Sequence, residues 1–210
     1  EDKIFIAPDT ALHYEIKKKA IHPELKNKKV ILYIGRIVPY KGLDILVKAF
    51  SRLEKEREDV FLLVGGKGSF EDEVKKIKTK NIKFLGPIDK EHIGFYYSLC
   101  DIFVLPSTFR DYDADCWGLV LNEAMSFGKP VISTDAVGAA YDLIKNGVNG
   151  FMVKHGDTDD LYNSLKILVN DDKLRERMGK ESKKLVDDRF NYKNMFNGFK
   201  EAINYALSKH

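Results

Sequence analysis

Arg36 and Lys41 flank a short loop, Ile37 to Tyr40, and glycines bracket the pair at Gly35 and Gly42. A guanidinium offers a planar fork to phosphate oxygens, and an ammonium offers a compact point charge. Two such cations at the end of an apolar run suit an anion held between them. Further along, the stretch DCWGLVLNE places Asp115 just ahead of a helix that opens at Gly118, with Glu123 on its second turn. A helix start presents unpaired N–H groups and a partial positive charge, which also favours an anion. Glu123 lies among Leu119, Val120, Leu121, Ala124 and Met125. An acid in so apolar a helix needs a partner, and the two hydroxyls of a ribose would supply one. Together these parts suit a nucleoside diphosphate. Taken singly, Arg36 is equally a surface salt-bridge residue, Gly65-Gly66 an ordinary strand-to-helix turn, Asp115 a helix cap and Glu123 an exposed helix position.

These groups can act together only if the fold brings them to one edge. Short β-rich runs, mostly continuous in apolar character, occur at residues 30–35, 60–66, 82–86, 101–107, 130–135 and 150–153. Continuous runs are the mark of strands covered on both faces. Amphipathic helical patterns separate them. Leu43, Leu46, Val47, Phe50 and Leu53 share one helix face, and Phe70, Val74 and Ile77 repeat the spacing more briefly. Asp89 is placed to cap a helix bearing Ile93 and Tyr97, and Asp157 one bearing Leu161, Leu165 and Leu168. Gly128 and Pro130 stop the helix that follows Gly118. Repeated strand–helix–strand units predict one α/β, Rossmann-like, doubly wound domain with about six parallel strands and a helical C-terminal part. Ligands of such sheets bind beyond the carboxyl ends of the strands. Gly35-Arg36, Gly65-Gly66, Gly86-Pro87 and Pro106-Ser107 all stand there.

Composition removes other classes. The formal charge is +3, from 35 basic and 32 acidic side chains, with no arginine stripe or zinc-ligand spacing, so no nucleic-acid partner is expected. Neither GxGxxG nor GxxxxGK[ST] is present, which argues against a dinucleotide oxidoreductase and a P-loop enzyme. Asp113 and Asp115 form a D-A-D pair in the loop before Gly118, but no metal ligand is assigned. Cys100 reads as a buried small hydrophobe, and the two cysteines fit a reducing compartment. No apolar run reaches the ~20 residues that span a bilayer. No signal peptide opens the sequence, and its strand-like start, KIFIAP, reads as a piece of something longer. The basic segment from Lys17 to Lys29 reads as a solvated face, with contact to an anionic membrane surface as the alternative.

In order, GRIVPYKG, LLVGGKGS, KFLGPI, DIFVLPS and DCWGLVLNE make the chain resemble the C-terminal, donor-binding domain of GT-B glycosyltransferases, in particular the retaining family GT4. The likeness runs from IFIAPDT to about residue 190. It implies that Arg36 and Lys41 bind the donor's diphosphate and stabilise the leaving nucleotide, and that Gly35 and Gly66 approach the donor. Pro87 and Ile88 would contact the base, largely through backbone. Asp115, Cys116, Trp117 and Gly118 would line the sugar pocket, Leu119 and Val120 would offer amides to phosphate, and Glu123 would take the ribose hydroxyls. Arg36, Lys41 and Asp115 are the catalytic candidates; Asp115 would orient sugar hydroxyls rather than attack.

The implied function is transfer of a sugar from a UDP- or GDP-sugar to a glycan or lipid-linked acceptor, without a separate cofactor. The implied location is cytoplasmic, at a membrane face if the basic segment engages one. There are departures. Asp115 stands where the family has glutamate, Trp117 where Phe or Tyr is usual, and Asp142 in VGAAYDLI at the acid position of GGxxE. Trp117 keeps an aromatic ring, but Asp115 and Asp142 leave open a non-catalytic, nucleotide-binding module of the same fold. Residues 1–190 would form the nucleotide-sugar-binding domain. Residues 191–210 would form a helix with Tyr192, Met195, Phe196, Phe199, Ile203 and Leu207 along one side, packing either on an N-terminal domain that this sequence does not encode or on its own core.

Overall fold

The apolar runs form the strands β1 (Lys29–Ile34), β2 (Val60–Gly65), β3 (Ile82–Gly86), β4 (Ile102–Leu105), β5 (Val131–Thr134) and β6 (Gly150–Val153). The computed structural model describes residues 4–10, 14–17, 19, 23–110 and 113–208. Within them the helices are α1 (Leu43–Glu56), α2 (Glu71–Lys75), α3 (Lys90–Leu99), α4 (Leu119–Ser126), α5 (Gly138–Leu143), α6 (Thr158–Asn170), α7 (Asp172–Arg189) and α8 (Tyr192–Leu207). All strand pairs are parallel, and the sheet order is β3-β2-β1-β4-β5-β6. The chain leaves β1 in one direction and resumes at β4 in the other. The crevice where the order reverses therefore opens at the carboxyl ends of β1 and β4, beside Gly35 and Pro106.

The strands lack alternating polarity because each of their faces has its own core. Ile31, Tyr33, Ile102 and Val104 pack with Leu46, Phe50 and Leu53 of α1 and Leu161, Leu165 and Leu168 of α6. Val30, Leu32, Phe103 and Leu105 pack with Phe95 and Tyr97 of α3, Leu121 and Met125 of α4 and Val186 of α7. Both clusters consist largely of fully buried side chains. Each such Leu, Val or Phe contributes roughly 1.5–3 kcal/mol by leaving water.

The helix ends follow local chemistry, with one correction at Asp89. The Asp157 carboxylate accepts from the Asp159 and Asp160 amides at 3.0 and 2.9 Å, which caps α6. Asp89 occupies the equivalent place before α3 but makes no side-chain capping bond. The pattern Phe70–Val74–Ile77 yields only the short α2. The Phe70 amide instead donates to the Ile37 carbonyl at 3.0 Å, so the chain is still tied to the β1 loop when the helix should begin.

Between Arg189 and Tyr192 the chain turns from α7 into α8. Tyr192, Phe196, Phe199, Ile203 and Leu207 are exposed, and of the α8 residues only Gly198 is buried. Most of the apolar row of α8 is thus exposed, while Met195 is half-buried and lines a cavity with Ile6 and Phe190. Among the described residues no helix is long and apolar enough to cross a membrane. Lys18, within the basic segment, and residues 209–210, at the end of the predicted last helix, lie outside the described residues.

Candidate functional site

The loop after β1 is built around one tyrosine. Tyr33 is fully buried, and its hydroxyl donates to the Arg36 carbonyl at 2.7 Å, which pins the turn that carries the guanidinium. Loop backbones extend the sheet beyond its strands. The Gly35 amide donates to the Gly65 carbonyl at 3.0 Å, Ile37 to Lys67 at 3.0 Å, and Gly66 to Gly86 at 2.8 Å. Gly66 has φ +128°, and a Cβ there would lie 1.9 Å from the Gly35 carbonyl oxygen. That glycine is required by contact between two loops of this chain, whatever ligand the loops receive.

Arg36 and Lys41 meet across the ring of Tyr40. The guanidinium carbon lies 5.7 Å and the Lys41 ammonium 5.4 Å from the ring centroid, within cation–π range. Arg36 also donates to the Tyr40 hydroxyl. The Thr108 amide donates to the Tyr40 carbonyl at 2.7 Å, so this turn is fastened to the end of β4.

Asp115 arrives from the other side. The Gly138 amide donates to its carbonyl at 3.0 Å and Ala139 to that of Trp117 at 3.0 Å, which stitches the loop before α4 to the start of α5. The Asp115 carboxylate is ion-paired with the Lys41 ammonium and accepts from the Ser107 hydroxyl at 3.0 Å. Their side chains are only 9% and 13% exposed, Asp115 and Lys41 respectively, so this pair is largely desolvated. Gly118 opens α4 with φ +90° and no side chain caps the helix start. The backbone of Leu119 and Val120 therefore begins the helix without a side-chain partner.

Two adjoining clefts share Arg36. Gly35, Arg36, Gly66, Pro87 and Ile88 line one of about 270 Å³, together with Ile34, Gly65, Lys67 and Ile93. Arg36, Tyr40, Ser69, Arg110 and Asp113 are among those lining the other, of about 320 Å³. Asp113 is exposed and its amide donates to the Arg110 carbonyl at 2.8 Å, while Asp115 turns inward to Lys41. The D-A-D carboxylates therefore do not converge. Among the described residues no group of three or more His, Cys, Asp or Glu is placed to hold a metal ion.

Trp117, Asp142 and Glu123 each have surroundings or partners within the chain. Trp117 directs its indole N–H to Asn122 Oδ1 at 3.2 Å and lines a cavity of about 570 Å³ with Ile6, Asp9, Phe190 and Phe199. Its side chain is thus on the α8 side of the loop, because the Asn122 amide bonds the Asp9 carbonyl and draws the N-terminal segment there. Asp142 is exposed and lines the same cavity. Glu123 already has partners inside the chain: the Tyr14 hydroxyl donates to Oε1 at 2.9 Å and the Tyr97 hydroxyl to Oε2 at 2.7 Å. Burial raises its carboxyl above the ordinary value, against the pull of the two tyrosine hydrogen bonds. Cys116, beside Asp115, is exposed, whereas Cys100 is buried and its thiol is pushed up to about 12 by burial.

Tyr40, Ser107, Arg110, Tyr14 and Tyr97 adjoin these groups without being marked as site residues by the sequence motifs. Tyr40 and Ser107 had a signal, since one lies between the two cations and the other ends a strand. Tyr14 had none, being 109 residues from its partner.

Residues 15–185 match the family described as glycosyl transferases group 1. The chain is 29% identical over 194 residues to the capsular polysaccharide biosynthesis glycosyltransferase CapM of Staphylococcus aureus, covering 90% of this chain and 49% of CapM. It superimposes on the crystal structure of the C-terminal domain of a glycosyl transferase group 1 family protein, LpcC, from Francisella tularensis, with a TM-score of 0.69 and 27% identity over 79% of this chain and 87% of that one. It also superimposes on Anabaena HepE crystallised with UDP, with a TM-score of 0.75 and 25% identity over 86% of this chain and 50% of that one. The chain spans about half the length of the curated relatives it matches, 49%, 44% and 47% for three of them. The parallel sheet, its reversal between β1 and β4, and the motifs placed at that edge agree with these likenesses: the chain is a Rossmann-like half of a GT-B fold and belongs to the glycosyl transferases group 1 family.

Proposed function

We propose that this chain is the donor-binding domain of a retaining glycosyltransferase, which takes a nucleoside-diphosphate sugar and passes the sugar to a glycan or lipid-linked acceptor. The observation that carries the reading is the cleft in which Gly35, Arg36, Gly66, Pro87 and Ile88 come together, next to the Lys41–Asp115 pair at the sheet's reversal point. The base would lie against Pro87 and Ile88, and the diphosphate between Arg36, Lys41 and the start of α4. Retention of configuration rests on the resemblance to GT4. The UDP in the HepE structure makes UDP the first nucleotide to try, with GDP beside it.

Breaking the anomeric C–O bond moves negative charge onto the departing diphosphate. Cations already fixed at that position stabilise the transition state more than the ground state. In this mechanism Arg36 faces the diphosphate from the turn pinned by Tyr33. Lys41 shares its charge between the diphosphate and Asp115, and Asp115 in turn orients sugar hydroxyls. The exposed row of α8 would pack on an acceptor-binding domain outside this chain, so the chain alone would bind donor but transfer little.

Calorimetric titration with UDP and GDP tests the reading. Saturable binding by one of them, weakened at least about tenfold by Arg36→Ala and by Lys41→Ala, is the expected result, in line with the strength of charge-assisted phosphate contacts. Unchanged affinity in both folded variants would overturn it. Binding without transfer by the full-length protein, across a panel of donors, would favour the non-catalytic module instead.

A further inference from the structure

The Glu123 carboxylate is divided between two tyrosines whose surroundings differ. Tyr97 is fully buried on α3, with its ring stacked on Phe127 and tilted against Phe103, both at 5.6 Å between centroids. Its hydroxyl cannot leave Oε2 without opening a void in the core. Tyr14 is only half-buried, on an irregular segment that lies over α3. That segment is seated at Gly94, where a Cβ would fall 2.5 Å from the Glu15 carbonyl oxygen. Its ion pair, Lys17 with Glu91 at 3.0 Å, joins two half-exposed side chains and adds little. Ile93, next to Gly94, lines the cleft that holds Arg36, Pro87 and Ile88, so the segment and the cleft share one helix.

Resting on the donor-binding reading, together with the family resemblance that gives Glu123 the ribose hydroxyls, we propose that Tyr97 is a positioning residue that fixes Oε2 permanently, and that the Tyr14 hydroxyl is a placeholder on Oε1 which the donor's ribose diol must displace. A phenol O–H and a sugar O–H are the same kind of donor to a carboxylate. In the free protein Tyr14 thus satisfies a half-buried acid that would otherwise have one oxygen without a partner in the chain. It also sets a threshold that only a ligand offering hydroxyls at that place can pass. Inorganic pyrophosphate, which lacks the diol, would bind beside Arg36 and leave Tyr14 where it is.

Removing the same oxygen atom from the two tyrosines should have opposite effects. Tyr14→Phe removes a competitor and should tighten UDP binding, by up to about tenfold for one charge-assisted hydrogen bond. Tyr97→Phe frees Glu123 to turn away and should weaken it by a similar factor. Neither should alter the affinity for pyrophosphate, measured by the same calorimetry, whereas Arg36→Ala should weaken both ligands. Tyr14→Phe that weakens UDP, or leaves it unchanged while Arg36→Ala still weakens it, would overturn the placeholder. A change in pyrophosphate affinity in either Tyr→Phe variant would show a general structural effect and overturn it too. Loss of Arg36 dependence would instead defeat the donor-binding reading itself. If Tyr97→Phe does not fold, as judged by circular dichroism, the sign of the Tyr14→Phe effect decides alone.

Discussion

Lys41 and Asp115 are partners in a largely desolvated ion pair, with the Ser107 hydroxyl on the same carboxylate oxygen. The two residues come from different loops, 74 positions apart, and join the end of β1 to the start of α4 across the crevice. The pair therefore holds the site's shape as well as its charge. Asp115→Ala should leave a buried ammonium uncompensated and cost about 3–5 kcal/mol of stability, measured by urea denaturation. Lys41→Met combined with Asp115→Leu should recover much of that loss while nucleotide binding stays weak. A stable Asp115→Ala variant would show that water reaches Lys41 freely.

Gly66 and Gly86 separate backbone preference from space. Both have positive φ, +128° and +69°, but a Cβ at Gly66 would strike the Gly35 carbonyl, while one at Gly86 meets nothing within 4 Å. Gly86→Ala should cost only the left-handed penalty, about 1–2 kcal/mol. Gly66→Ala should cost more and should also weaken nucleotide binding, because the backbone it displaces carries Arg36. Thermal melts and UDP titration of the two variants make the comparison.

Glu123 gives a pH signature. Its folded value is raised above the ordinary 4.5, chiefly by burial, so folding favours the protonated acid. Its contribution to stability is therefore full below pH 4.5 and is lost as pH rises through the raised folded value. Glu123→Gln cannot titrate. As pH falls from neutrality towards 4.5, the wild-type protein should gain stability relative to the variant, followed by denaturant melts at each pH.

The two cysteines should differ sharply towards a thiol reagent. Cys116 is exposed beside the site, whereas Cys100 is buried, its thiol pushed up to about 12 and donating to the Tyr97 carbonyl at 3.4 Å. The native chain should release colour from dithionitrobenzoate at Cys116 alone, and at both cysteines once denatured. Nucleotide-sugar at saturation should slow the native reaction more than nucleotide alone, because the sugar pocket proposed for the donor includes Cys116.

The strands, their order of appearance and most helices were readable in the sequence because their causes are local. Apolar runs such as ILYI and FLLV define strands buried on both faces, and Asp157 caps α6 through bonds to residues two and three positions on. The meeting of Gly35, Arg36, Gly66, Pro87 and Ile88 was readable as well, because residues at the carboxyl ends of adjacent parallel strands share one edge. Only the tertiary structure decided which partners the charged groups take. Asp115 for Lys41, Tyr14 and Tyr97 for Glu123, and the α8 side of the loop for Trp117 are all pairings between segments far apart in the chain. A composition or a period records the kind of partner a buried charge needs. Which side chain supplies it depends on how helices and loops pack, and no local pattern carries that information.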